Sequence, residues 1–91
     1  ITFEKASSQD LASNDTISVG VTSYVPLNPT SAAVTLDSTT AIADGKSAGD
    51  ILILENINVS NTITIPNNAN TRLGVDRVLA QNDTLILIWT D

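Results

Sequence analysis

From Thr16 to Tyr24, apolar and polar residues alternate, with Ile17, Val19 and Val21 on one side and Ser18, Gly20 and Thr22 on the other. A period of two predicts a strand buried on one face. Pro26 and Pro29 are expected to break it, because the residue before each proline is pushed extended. Ala33 to Leu36 predicts a second short strand, Asp37 to Thr40 a turn, and Ala41 to Ala43 a brief pairing. Asp44-Gly45 and Gly49-Asp50 bracket a tight connection. Asn61 to Ile65 alternates again, with Ile63 and Ile65 inward. Pro66 to Asn70 is a loop, Arg72 to Leu79 contains a short strand, and Gln81-Asn82-Asp83 is a turn. Only Glu4 to Ala12 has helical spacing, and it predicts one or two helical turns or a loop.

Two segments break the alternation. Ile51-Leu52-Ile53-Leu54 and Leu85-Ile86-Leu87-Ile88-Trp89 are apolar at every position. Such strands offer apolar side chains to both sheet faces, whereas a small sandwich with one wet face should alternate. The second cover must be another sheet or a neighbouring subunit. Six to eight short strands, with turn signals at the regular spacing of sandwiches and barrels, predict an all-β fold. The expectation is a small antiparallel β-sandwich or β-barrel, packed as a homotrimer. Residues 1–15 form an N-terminal arm or short strand and turn, and residues 16–91 form the β domain.

A turn-into-strand phrase recurs as Asn14-Asp15-Thr16-Ile17, Gly49-Asp50-Ile51-Leu52 and Asn82-Asp83-Thr84-Leu85. A three-unit repeat would explain it. The simpler explanation is a turn acid before a strand, which the unaligned intervening text favours.

Composition narrows the function. The 91 residues include no Cys, His or Met. The usual zinc and haem ligand sets are therefore missing, as are a thiol nucleophile and a Ser-His-Asp triad. A net charge of −6 argues against nucleic acid, whose phosphates require Lys and Arg. Phe3, Tyr24 and Trp89 are the only aromatics, so burial falls to Ile, Val and Leu. Oligomerisation is the expected supplement. The apolar runs are far below the roughly 18 residues that span a bilayer, and no membrane partner is expected. Ile1 opens a polar stretch, not a signal peptide.

No constellation predicts catalysis. Glu4 and Glu55 share no motif, and the Asp residues sit where turn acids sit. Lys46-Ser47 lies in a turn-like DGKSAGD segment, and no Ser-x-x-Lys occurs. The loops at Asp37, Asp44 and Asp83 offer oxygen, but no EF-hand run is present. Neither cofactor nor metal is expected. The amides of Asn67, Asn68 and Asn70 form a candidate ligand loop, since they donate and accept as sugar recognition requires. They equally suit left-handed turns, and no aromatic is near them in sequence to stack on a sugar.

The phrases Thr40 to Gly45, Gly49 to Leu54, Asn61 to Pro66 and Asn82 to Trp89 resemble small β domains of tailed-phage virion proteins. These include capsid decoration (cement) proteins, head fibres, and tail-fibre or tail-spike tips. The resemblance extends from Thr35 to Trp89 and supplies no catalytic residues. It implies a homotrimer whose apolar strands meet around a threefold axis. The predicted packing residues are Ile51, Leu52, Ile53, Leu54, Leu85, Ile86, Leu87, Ile88 and Trp89. The expected function is a non-enzymatic structural protein on the virion exterior that binds the major capsid protein or another virion protein. The alternatives are a receptor-binding tip of a fibre or spike that contacts a host-surface glycan, and a bacterial surface adhesin module.

Overall fold

The computed structural model describes residues 2–20, 22–43 and 47–90. Seven strands follow in chain order: β1 (Gln9–Leu11), β2 (Tyr24–Pro29), β3 (Val34–Thr35), β4 (Ile51–Asn56), β5 (Ile63–Ile65), β6 (Arg77–Leu79) and β7 (Thr84–Ile88). They form two sheets, ordered β1-β2-β4-β7 and β3-β5-β6. Leu11, Val25, Leu27, Leu52 and Leu54 from the first sheet meet Val34, Ile63, Ile65 and Leu79 from the second in one buried cluster. The expected all-β sandwich is present. Its accessible surface of 5169 Å² is close to the roughly 5,000 Å² of a compact globule of this mass, so the chain closes on its own core.

Strand direction departs from an antiparallel sandwich. The pairs β1–β2, β2–β4 and β3–β5 are parallel, and only β4–β7 and β5–β6 are antiparallel. Tyr24 pairs with Ile53 and Val34 with Ile63, so β2–β4 in one sheet and β3–β5 in the other share the same offset along the chain, while β1–β2 pairs at a shorter one. Ile17 and Ile42 add a parallel bridge on a third side. The chain therefore winds in stacked coils, and β6 and β7 close the last coil by running antiparallel. Parallel strands need long crossovers, and here each sheet supplies the crossover for the other. At the shared offset, Val34-Thr35-Leu36 lies on Ile63-Thr64-Ile65, with Val34 and Leu36 donating their N–H groups to the Thr62 and Thr64 carbonyls.

Three sequence expectations are corrected. Thr16 to Tyr24 is not a continuous strand: Ile17 makes a single bridge, Val19 is half-buried, and Val21 lies outside the described residues. The central strand is instead Tyr24–Pro29, which contains both prolines. Pro26 is tolerated because the strand beside it slips. Lys5 pairs with Tyr24 but Gln9 pairs with Leu27, leaving an irregular joint where no donor is required, the usual place for a strand proline. Lastly, Gln9–Leu11 within the helix-spaced window is a strand, with Leu11 buried, so this part of the N-terminal arm is integral to the sheet.

The recurring Asp phrase is one turn used three times. Asp15, Asp50 and Asp83 each accept, through Oδ2, the N–H three residues back, at Ala12, Ser47 and Ala80 (2.8, 3.0 and 2.8 Å). The residue before each Asp is left-handed: Asn14 at φ 70°, Gly49 at 93° and Asn82 at 65°. Asn and Gly are the residues that accept this conformation. The turns lead into the Ile17 bridge, β4 and β7, of which β4 and β7 share a sheet while Ile17 bridges to Ile42 outside it. The rhyme is thus shared turn chemistry, while the repeating unit is the coil itself.

Candidate functional site

Burial along β4 alternates. Leu52 and Leu54 are fully buried, whereas Ile51 and Ile53 face outward and stay half-exposed. On β7, half-buried Leu85 and Leu87, with Trp89 just beyond, pack on the core. Ile86 and Ile88 point outward and are 66% and 61% exposed. Ile51 pairs with Ile88 and Ile53 with Ile86, so four isoleucines form a two-by-two block on the outer face. Of the nine predicted packing residues, five thus serve the chain's own core and four are available to a partner.

Tyr24 pairs with Ile53 and borders the block. Its hydroxyl donates to Glu55 Oε1 at 2.6 Å, and Lys5 Nζ lies 5.5 Å from its ring centre. The hydrogen bond to Glu55, then burial and the Glu55 charge, raise the Tyr24 pKa above its ordinary value. β7 ends its sheet. Trp89 donates its backbone N–H to the Asp50 carbonyl, and the Asp83 carbonyl accepts the Asn56 N–H, so odd-numbered backbone groups face β4. By strand alternation, the backbone of Thr84, Ile86 and Ile88 faces the open edge. No Lys, Pro or acid lies within β7, the usual protections of an exposed edge.

A groove of about 740 Å³ runs from this edge to the Asn68–Leu73 loop, lined among others by Thr40, Asn70, Arg72, Ile88, Trp89 and Thr90. It joins the candidate amide loop to the only tryptophan, which is remote from that loop in sequence. The amides themselves are largely engaged within the fold. Asn68 Oδ1 accepts the N–H groups of Asn70 and Thr71, while its Nδ2 donates to the Ser38 carbonyl. Asn70 accepts the Ile42 N–H and donates to the Ile42 carbonyl, as a further strand would. Asn67 Oδ1 accepts the Gly74 N–H.

Sequence reasoning missed a second asparagine group. Asn56 is fully buried and donates to the Asn61 and Leu79 carbonyls while accepting the Asn58 N–H. Asn58 in turn caps Ser60 and Asn61 and donates to Asn28 Oδ1. The spacing Asn56, Asn58, Asn61 was the available signal for a hydrogen-bonded corner between the sheets.

Three further carboxylates are occupied locally. Asp37 accepts from Thr39 and Thr40, Asp76 from Asn67, and Glu55 from Tyr24. Among the described residues, no three acids converge as a metal site would require. Asp44, Gly45 and Lys46 lie outside the described residues.

A family model, that of the phage depolymerase C-terminal beta sandwich domain, matches residues 5–91. No curated protein and no solved structure matches the chain.

Proposed function

The chain belongs to the phage depolymerase C-terminal β-sandwich family, and from that premise we propose that it is a non-catalytic assembly module of a phage tail spike or fibre. Membership makes it a tail-associated β domain of the virion; what we add is the role. The match favours the tail over a capsid shell, and so supports the fibre-or-spike alternative above capsid decoration.

The outward isoleucine block carries the reading. It is uncharged on a chain of net charge −6, so copies that repel elsewhere can meet there. Covering Ile86 and Ile88, which are 66% and 61% exposed, is worth about 1–2 kcal/mol per residue. In this reading three copies bring their β4–β7 faces together about a common axis, on the exterior of the virion.

Mass measurement by light scattering and native mass spectrometry tests this directly. The wild-type chain at tens of micromolar should have three times the protomer mass. Ile86→Lys, which places a charge in each block, should run as a monomer with an unchanged far-UV spectrum. A wild-type monomer, or a trimer indifferent to Ile86→Lys, would refute the assignment.

A further inference from the structure

We propose that the open edge of β7 takes an extended segment of a partner polypeptide, apolar at alternate positions and acidic at either end, as an added strand. β7 ends its sheet, and the backbone groups of Thr84, Ile86 and Ile88 face outward from it. A strand that pairs there satisfies them, which is how peptides join exposed sheet edges. β7 holds no Lys, Pro or acid to oppose such pairing.

The edge lies beside a cavity. β6 ends the other sheet as β7 ends the first, and a cleft of about 630 Å³ opens between them, lined by Val78, Leu79, Leu85 and Leu87 among others. It shares Leu73, Ile86 and Leu87 with the groove towards Thr90, so one trough follows β7 along its length. Leu73, Leu85, Leu87 and Trp89 pack on the core but remain half-buried, and Val78 is 59% exposed. An added strand turns every second side chain to one face, and apolar ones there complete the cover of this floor.

Charge selects the occupant. Arg77 lines the cleft and Arg72 the groove, and they are two of only four Lys and Arg on a chain of net charge −6. Both are exposed. Each guanidinium reaches a neutral oxygen at 3.5 Å, Arg77 the Leu73 carbonyl and Arg72 Thr90 Oγ1. Asp83 also lines the cleft, but its carboxylate accepts the Ala80 N–H. A guanidinium can take a carboxylate through two parallel hydrogen bonds, so acids at the ends of the segment find partners. A second copy fits poorly. The other strands that end a sheet, β1, β3 and β6, have three, two and three residues against five in β7, and they hold a single acid, Asp10. The outward block uses the side chains of Ile86 and Ile88, whereas an added strand uses their backbone, so this inference does not rest on the assembly reading.

Trp89 is the only tryptophan and lines the trough, so its emission reports occupancy without a label. The full chain is titrated with an acetylated heptapeptide that has Asp at each end and alternating Val and Thr between. The emission should shift saturably, with a submillimolar Kd that weakens as salt is raised. The same peptide with Lys at its ends should bind at least about tenfold more weakly, as should the acidic peptide to Arg72→Asn or Arg77→Gln, with thermal stability near wild type. Arg72→Asn suits the left-handed backbone at this position, φ 53°. N-methylation separates strand addition from simple apolar contact. Methyl groups on one alternate set of peptide nitrogens should abolish binding, and on the other set should leave it intact. The proposal is overturned if the acidic peptide causes no shift, if the Lys peptide binds as well, if both methylated sets bind alike, or if both arginine variants bind unchanged. Binding seen only after an oligomer dissociates would assign the edge to a second copy and overturn it too. The titration reads the edge and the mass measurement reads the outward face, so either can fail without the other.

Discussion

Replacing Asn56 should destabilise the domain more than any other single polar change. Its side chain is fully buried and its amide makes three hydrogen bonds, to the carbonyls of Asn61 and Leu79 and from the N–H of Asn58. Leu has a similar volume but satisfies none of them. Each hydrogen bond contributes about 0.5–1.5 kcal/mol net, and a buried partner left alone costs about 1–3 kcal/mol. Partial hydration of the Asn61 and Asn58 groups near the surface lowers the sum to roughly 3–5 kcal/mol for Asn56→Leu. At about 4–8 °C per kcal/mol for a domain of this size, the melting point should fall by at least about 12 °C. Guanidinium unfolding followed by Trp89 emission, at fixed protein concentration because association shifts midpoints, measures the loss. The slope should match wild type, confirming that the same surface unfolds. Asn56→Asp supplies a second signature. Its buried carboxyl lacks a positive partner, so its pKa is raised; its stability should be greatest in acid and fall as pH rises. A midpoint for Asn56→Leu that stays within about 1 kcal/mol of wild type, less than the loss of even one buried partner, would refute the view that this amide holds the two sheets in place.

Trp89 is half-buried, so Trp89→Ala should cost about half the usual 3–5 kcal/mol, roughly 1.5–2.5 kcal/mol by circular dichroism melting. Asn82→Val forces a β-branched residue to φ 65° and should cost about 1–2 kcal/mol, whereas Asn82→Gly should stay within about 0.5 kcal/mol of wild type in the same assay. The Tyr24 pKa is raised by its hydrogen bond to Glu55. The stabilisation is therefore complete below the ordinary value of 10.0 and is lost as pH rises through the folded value. Tyr24→Phe should remove that part of the alkaline loss, read as a flatter midpoint-against-pH curve on the alkaline side.

Local text announced most elements of this fold. The β-branched pattern of Ile63-Thr64-Ile65, the Asp turns and the apolar runs of β4 and β7 all lie where period and turn chemistry put them. Four features were less accessible. The strand at Tyr24–Pro29 is hidden by two prolines, whose missing donors matter only if a neighbour needs them, and that neighbour is set by tertiary pairing. The parallel direction is equally silent, since one face of a strand reads alike whichever way its partner runs. The division of β4 and β7 into inward leucines and outward isoleucines follows from the pleat, but which parity faces the core does not. The groove joins Trp89 to Arg72 only because β7 returns beside the last coil.

The coiled winding also shapes how the chain reaches its fold. Apart from β1–β2 and β5–β6, no two successive strands pair, and β2 must wait for β4 while β3 waits for β5. Each such pairing closes a full coil of chain before any sheet contact repays the lost freedom. Such non-local pairing belongs with folding times of milliseconds to seconds. The two parallel pairings share one winding, so forming either brings the other into register. The β2–β4 and β3–β5 pairings are therefore expected to form together, with β7 added afterwards along β4. Until β7 docks, the β4 edge and the inward side of Leu85 and Leu87 stay open, and that late step is where a slow-folding copy would be most exposed to pairing with the wrong neighbour.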